Sequence, residues 1–298
     1  MHVFEFPRQE SINRLKNVVK NQLSELEWPN ILATTSHKQY EKTIPESAFT
    51  IITNQKGTTH LYLKKRTLKV CEQTFYLSNP FESFHYKIDS NEQQVNTFNI
   101  HLNYDFYTKA LYAFLNSDEI LLDKPFEQTK SYQFINQLHF RTTDFNQVLQ
   151  SYPQKNEDVF FANIVLNCLL LDSQEKAKSL NIPVAKQSTQ KELSRRMILV
   201  KDYIYSNYQD ADLSTHQLSK LVFMSHFHFL RVFKNTYNNS PYQYLKQVRV
   251  EKAKFLLLHT NISIKEIAFR VGFKESTAIY PIMKKHLLNT PQKYRKRN

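Results

Sequence analysis

Residues 214–234 read STHQLSKLVFMSHFHFLRVFK, and residues 263–283 read SIKEIAFRVGFKESTAIYPIM. Each stretch opens with a serine that is followed three residues later by Gln or Glu, the pattern of a capping box at the start of a helix. The two boxes lie 49 residues apart, and each precedes a short apolar-periodic segment, a turn and a second helical segment. This repeat predicts two helix-turn-helix units in tandem.

The second helix of the first unit has two different faces. Its inward face is expected to hold Phe229, Val232 and Phe233. Its outward face has the spacing i, i+3, i+4, i+7 and holds Phe227, Leu230, Arg231 and Lys234. A stripe of two cations and two apolar groups suits the major groove of DNA, where Arg can grip guanine and apolar groups can contact thymine methyls. Exposed apolar groups by themselves more often mark a protein contact, so the repeat and the charge must decide between the two interpretations.

Charge divides the chain into two parts. Residues 191–298 hold 20 Lys or Arg against 7 Asp or Glu, which accounts for the whole formal net charge of +13, whereas residues 1–190 are balanced. A neutral part joined to a strongly basic part predicts that the basic part binds a polyanion. Together with the repeat, this charge favours double-stranded DNA as the partner.

The basic part resembles the DNA-binding domain of the AraC/XylS family. The resemblance covers roughly residues 197–295 and is carried by several motifs in the family's order and spacing. These motifs are 224–234 (MSHFHFLRVFK), Ser240-Pro241, Tyr244-Leu245, Arg249, 264–273 (IKEIAFRVGF), Pro291 and Tyr294-Arg295. The resemblance implies a sequence-specific transcription regulator that acts on double-stranded DNA, and on RNA polymerase if it is an activator.

The resemblance also implies which side chains meet DNA. In the first unit the base-reading positions are Phe227, Leu230 and Arg231, and we expect His226 and Lys234 of the same helix to contact DNA beside them. In the second unit the base-reading positions are Ser276, Thr277, Tyr280 and Pro281, and we expect Lys284 to contact DNA as well.

Some positions depart from the family pattern. Ile279 and Met283 stand where the family usually has Phe, and Asn239 and Leu288 stand where it commonly has Gly. Pro281 stands where a basic residue is frequent, and proline is tolerated only near the start of a helix. We therefore expect this helix to start late or to bend near 277–281. Because its outward residues Ser276, Thr277 and Tyr280 carry no cation, we expect the first unit to dominate base readout.

The front part has a different pattern. Short β-rich runs separated by turn residues predict strands at 49–53, 59–63, 67–70, 75–77, 84–88 and 97–102. Helical periods follow at 104–115, 132–138 and 157–180, and an opening helix is expected at 8–26. The predicted fold class is α+β: a small antiparallel, cupin-like β-barrel with trailing helices, then an all-α double helix-turn-helix domain. The expected divisions are a sensing and dimerisation domain (1–183), a linker (184–194) and a DNA-binding domain (195–298) that contains 214–236, the linking helix 241–258 and 263–287.

The segment 157–180 is apolar almost all round, which predicts either a central helix of its domain or a helix shared by two subunits. A homodimer would place Phe160, Ile164, Cys168 and Leu171 in its interface. Both possibilities remain open from the sequence.

Composition narrows the remaining function classes. The chain has 2 Gly, so neither a P-loop nor a dinucleotide-binding loop can be written. Its 2 Cys, Cys71 and Cys168, and the His residues of the β-rich part lack metal-ligand spacing, so we expect no metal and no cofactor. The rival hypothesis is a cupin-like metal-dependent enzyme with a basic helical appendage, and it lacks a visible metal triad or catalytic pair.

The remaining expectations concern the signal and the compartment. The front domain is expected to respond to a small molecule or to a protein, between which the sequence does not choose. The first residues are not those of a signal peptide, and the longest apolar run is too short to span a bilayer. We therefore expect a cytoplasmic protein without a membrane partner.

Overall fold

The computed structural model describes residues 2–6, 28–91, 94–125, 127–129, 132–152, 156–287 and 289–296. The helix expected at 8–26 lies outside these residues. The chain divides into two compact units, residues 1–176 and 177–298. The α+β class is confirmed, because the described part of the front unit contains both sheets and helices and that of the rear unit is helical.

The strands of the front unit are β1 (His2–Val3), β2 (Ile31–His37), β3 (Gln39–Ile44), β4 (Phe49–Lys56), β5 (Thr59–Leu63), β6 (Arg66–Val70), β7 (Thr74–Ser78), β8 (Phe84–Asp89), β9 (Val95–Leu102) and β10 (Leu138–Phe140). Within the described residues they form one sheet of order β1-β2-β9-β4-β7-β10 and a second of order β3-β8-β5-β6. All pairs are antiparallel except β1 with β2.

The expected closed barrel is not found. Each described sheet keeps two edge strands, β1 and β10 in one and β3 and β6 in the other, whereas a barrel closes on itself and has none. The cupin-like description is therefore not confirmed.

Strand β4 shows how the layers are arranged. Successive side chains of a strand point to opposite faces, and six consecutive residues of β4, 49–54, are buried. Phe49 and Ile51 pack in the main core with the helices of this unit, whereas Thr50 and Ile52 line a cavity between the two sheets. The six-stranded sheet is thus covered on both faces.

The helices of the front unit are α1 (Tyr104–Leu115), α2 (Asp118–Asp123), α3 (Thr143–Gln150) and α4 (Glu157–Leu180). Residues of α1, α3 and α4 pack on the sheet, and the division between the two units falls in the last turns of α4. The core that they share with the sheet includes Phe49, Phe75, Leu111, Phe145, Phe161 and Val165.

The prediction of a helix at 132–138 is wrong. Residues 132–136 are not helical, and Leu138 begins the edge strand β10, which pairs with β7. Side chains take the main-chain N–H groups that a helix would use, since Phe134 donates to Asn79 (2.8 Å) and Ile135 donates to Asp172 (2.8 Å). The local apolar period could not reveal these distant partners.

The helices of the rear unit are α5 (Gln187–Asn207), α6 (Thr215–Leu221), α7 (His226–Tyr237), α8 (Pro241–His259), α9 (Ile264–Arg270), α10 (Ile279–Leu287) and α11 (Pro291–Lys296). Residues 187–194, expected from the sequence to belong to the linker, are the first turns of α5. Gln190, Lys191, Glu192 and Leu193 within this stretch are good helix formers, and Leu193 is buried.

Candidate nucleic-acid interface

The first helix-turn-helix unit consists of α6 and α7. Ser214 caps α6 through the expected capping box: its hydroxyl accepts the N–H of Gln217 (3.3 Å), and the Gln217 side chain accepts the N–H of Ser214 (2.8 Å). Leu218 of α6 is buried in the rear unit. The local sequence therefore fixes where this unit begins.

Helix α7 has the two faces expected from its sequence. The inward residues Phe229, Val232 and Phe233 are between 0% and 4% exposed. On the opposite face Phe227 is 84% exposed, Arg231 and Lys234 are exposed, and Leu230 is half-buried. The stripe predicted to enter a groove is thus presented to solvent in this chain.

His226 lies at the amino-terminal end of α7, beside the other helix of the unit. Its ring stacks on that of His216 in α6, with centroids 4.3 Å apart and planes at 21°. Its Nδ1 atom is buried without a hydrogen-bond partner among the described residues. His226 thus packs between the two helices of the unit and is half-buried, whereas its neighbour Phe227 is exposed.

The second helix-turn-helix unit begins at Ser263, whose hydroxyl accepts the N–H of Glu266 (3.1 Å) and caps α9. This bond is one half of the expected capping box. The Glu266 carboxylate accepts a hydrogen bond from Arg270 (2.7 Å), one turn later on the same helix. A charged pair at i, i+4 thus competes with the cap for the carboxylate.

The second recognition segment starts late, as Pro281 predicts. Residues 276–278 form one 3₁₀ turn, and the α-helix α10 begins at Ile279. Pro281 is then the third helical residue, where a backbone N–H has no intrahelical partner, so proline costs no hydrogen bond. Ile279 and Met283 are fully buried and fill the inner positions of α10.

The predicted DNA-facing residues of the second unit differ in their surroundings. Thr277 and Lys284 are exposed, whereas Ser276 and Tyr280 are half-buried. The Tyr280 hydroxyl accepts a hydrogen bond from the Gln292 side chain of α11 (3.0 Å). Its own hydrogen is therefore available to an acceptor outside the chain.

Helix α8 joins the two units and buries two cations that its sequence pattern does not mark as buried. Leu245, Val248 and Leu257 form the expected inner face. Arg249 is 7% exposed and Lys252 is 4% exposed, although a basic helix in a basic domain suggests solvated cations. A helical wheel places Arg249 and Lys252 near the inner face, but the polar groups that contact them come from other segments, which a wheel does not include.

The front unit contains a cavity of about 50 Å³ between its two sheets. Its wall is mostly aromatic and apolar, and Lys42 and His101 add nitrogen donors. Burial lowers the pKa of His101 to about 4, and the charge of Lys42 acts in the same direction, so the imidazole is neutral near pH 7. Other lining residues are Trp28, Tyr40, Ile52, Phe84 and Tyr86.

The residues expected in a dimer interface lie inside their own chain. Phe160, Ile164 and Cys168 of α4 are 0% exposed and belong to the main core of the front unit, which is the intrachain position that the sequence offered as the alternative to an interface. Leu171 is half-buried and packs against the same core. The sequence left both possibilities open because a helix that is apolar all round has no polar face to indicate which side is buried. The outer side of α4 still exposes Val159 (49%) and Leu170 (56%).

Among the described residues, no three His, Cys, Asp or Glu side chains come together as a metal site would require. The buried thiols of Cys71 and Cys168 are not bonded to each other. No helix of the described segments is long and apolar enough to cross a bilayer.

Comparison with known proteins agrees with this geometry. Residues 218–297 match a family model described as a helix-turn-helix domain. Over 97 residues the chain is 32% identical to the Msm operon regulatory protein of Streptococcus mutans. This match covers 33% of this chain and 34% of that protein. Over 94 residues it is 31% identical to the lactose operon transcription activator of Staphylococcus xylosus. This match covers 32% of this chain and 33% of that protein.

A solved structure with similarity to the chain is the C-terminal domain of AraT, a response regulator from Geobacillus stearothermophilus. The identity is 29%, the match covers 36% of this chain and 88% of that one, and the TM-score is 0.35. The chain spans about a third of the length of the two curated relatives named above. Residues 218–297 of this chain form a helix-turn-helix domain of the AraC/XylS type.

Proposed function

We propose that the whole protein is a sequence-specific DNA-binding transcription regulator in which α7 enters the major groove. The observation that carries the proposal is the division of α7 into a face packed inside the unit and a face with exposed Phe227, Arg231 and Lys234. Such an element, built into a repeated helix-turn-helix within a basic unit, has the shape and charge that a groove requires.

The stripe divides its work among side chains. Arg231 can donate two hydrogen bonds to the O6 and N7 atoms of guanine, and Phe227 and Leu230 can contact the methyl group of thymine. Lys234, one turn further along α7, is placed for a phosphate. His226 contributes less, because its ring is stacked on His216.

The second unit reads DNA more weakly in this proposal. Its outward residues before Lys284 are Ser276, Thr277 and Tyr280, which carry no cation, and α10 itself begins at Ile279. We infer that this unit mainly positions the protein on the duplex and that the first unit sets most of the specificity.

In this proposal the front unit senses the signal and forms the homodimer. We place an effector at the cavity between the sheets, where Lys42 and His101 offer donors to a small polar molecule. Since about 10–15 Å³ suffices for one water molecule, the present cavity admits only a few small groups and must widen for a larger effector. A homodimer would use the outer side of α4 around Val159 and Leu170.

Chromosomal DNA that co-purifies with the full-length protein tests the central proposal. Sequencing should recover a recurrent motif, and the Arg231→Ala variant should lose enrichment of that motif while still binding DNA weakly. Lys109→Ala in the front unit is the matched control and should keep the enrichment. Recovery of DNA without any shared motif from the wild-type protein would contradict sequence-specific regulation.

A further inference from the structure

One buried side chain connects three segments of the rear unit. The guanidinium of Arg249, in the middle of α8, donates from Nε to the carbonyl of Tyr208 (2.9 Å) and from Nη2 to the carbonyl of Asp210 (2.8 Å). Tyr208 and Asp210 lie in the segment that leads from α5 to the first helix-turn-helix unit. Arg249 is therefore fastened to the entrance of that unit by two hydrogen bonds of fixed direction.

The same guanidinium touches the second unit. Its Cζ atom lies 5.6 Å from the centre of the Phe273 ring. Gly272 packs so closely that an added Cβ would overlap the carbonyl oxygen of Tyr208 and lie 3.0 Å from two nitrogens of Arg249. Gly272, in the turn of the second unit, thus packs against the Tyr208 carbonyl, which accepts a hydrogen bond from Arg249.

A surface ion pair links the same two segments a second time. Lys274, directly after the turn of the second unit, lies 2.5 Å from Asp212, which precedes α6 of the first unit. Both side chains are largely exposed, so the pair is individually weak. Its position nevertheless shows that the entrance of one unit and the turn of the other lie side by side.

We propose that Arg249 is a positioning residue that fixes the distance and angle between the two recognition segments. Helix α8 alone leaves each unit free to rock about its own contacts with that helix. A second connection through Arg249 closes a ring of contacts and removes this freedom, so the spacing of the two half-sites on DNA becomes a property of the junction. This inference rests on the proposed function, since it requires that both units contact bases, the second unit with a weaker preference than the first.

The test uses full-length protein and the motif that it selects from a random double-stranded DNA pool. One base pair is inserted or deleted between the two half-sites, which moves one of them by about 3.4 Å and turns it by about 35°. The wild-type protein should lose affinity about tenfold or more, as for a poor site. In Arg249→Lys, which keeps the charge but loses the two-pronged geometry, the ratio between the two spacings should fall below about threefold.

Lys246→Ala is the matched control, because Lys246 lies on the same helix and contacts Tyr242 instead of the junction. It should lower affinity for both spacings alike and keep their ratio. Arg249→Gln, whose shorter and uncharged side chain cannot form both hydrogen bonds, provides a second variant in case Arg249→Lys does not fold, and it should reduce the ratio in the same direction. An unchanged ratio in the folded variants, or a wild-type protein indifferent to spacing, overturns the role of Arg249 while leaving DNA binding intact. Absence of any selected motif would instead remove the proposed function itself.

Discussion

Phe223 and Gly272 occupy the same place in the turns of the two helix-turn-helix units, 49 residues apart, and both have a positive φ, 51° and 92°. Their main chains also bond alike, because the N–H of each donates to the carbonyl three residues earlier, at 3.1 Å and 3.0 Å. The repeat visible in the sequence is therefore repeated in backbone geometry, even where one turn has a phenylalanine and the other a glycine.

The surroundings of the two residues differ. The Phe223 side chain is 89% exposed. The cost of its positive φ is therefore local backbone strain, without a clash between its side chain and other segments. Gly272 is enclosed, and a Cβ there would overlap the carbonyl of Tyr208. Equivalent substitutions should consequently have very different effects.

Gly272→Ala should lower the free energy of unfolding of the rear unit by about 2–4 kcal/mol, since left-handed strain adds to a clash with main chain. Phe223→Gly should change it by less than about 1 kcal/mol, because relief of strain is offset by the greater freedom of glycine in the unfolded chain. Urea unfolding followed by circular dichroism measures both. Equal losses in the two variants would contradict the packing described at Gly272.

The two cations of α7 should have different roles in DNA binding. Arg231→Ala should cost about 1–3 kcal/mol at the selected site and relax the preference at one base position. Lys234→Ala should weaken binding to all sequences alike and reduce the slope of log affinity against log salt by about 1. Titrations of both variants on matched and singly substituted sites at several salt concentrations distinguish these outcomes. A base-specific loss in Lys234→Ala would reverse the assignment.

The two half-sites should contribute unequally. Base substitutions in the half-site of the first unit should cost about 1–3 kcal/mol each, as expected for direct readout. Substitutions in the half-site of the second unit should cost less, because α10 begins at Ile279 and Ser276, Thr277 and Tyr280 bring no cation. Footprinting with a set of single-base variants gives the comparison, and similar losses on both sides would contradict weak readout by the second unit.

The outer side of α4 should control assembly. Leu170→Glu, at a residue 56% exposed, should give a folded monomer if the protein is a dimer through this side. Ile164→Glu, at a fully buried residue of the same helix, should instead unfold the front unit, because a carboxylate would enter an apolar core. Light scattering with circular dichroism reports mass and folding together. A Leu170→Glu protein that keeps the wild-type mass would exclude this side as the interface.

Acid should destabilise the front unit through His101. Its pKa is about 4 when folded and near 6.5 when unfolded, so the unfolded state binds more protons between these values. Stability should therefore be complete above about pH 6.5 and fall by roughly 1–3 kcal/mol as the pH decreases toward 4. Unfolding measured across this range should be less dependent on pH in His101→Gln.

The control for this titration is His85→Gln, which removes an imidazole that pairs with Glu41 at 3.0 Å on the other sheet. This variant should keep most of the acid-induced loss seen in the wild-type protein. An undiminished loss in His101→Gln would show that other groups carry the pH dependence.

The sequence alone determined the features that depend on neighbouring residues. The capping serines, the two-faced period of α7 and the late start of α10 before Pro281 all follow from main-chain hydrogen bonding and side-chain spacing within one or two turns. For the same reason most strand bounds of the front unit agree with the β-rich runs, since a strand is marked locally by its residue types and its flanking turns.

Tertiary structure decided the features that depend on distant partners. An apolar period could not show that α4 buries Ile164 in its own chain or that the strands form two sheets instead of a closed barrel. Nor could it show that Phe134 and Ile135 give their N–H groups to Asn79 and Asp172. Nor could a basic helix show that Arg249 is buried against the carbonyls of Tyr208 and Asp210. The physical reason is the same in each case. The residue type determines which hydrogen bonds or apolar contacts a buried group requires, but only the tertiary fold determines which distant residue provides them.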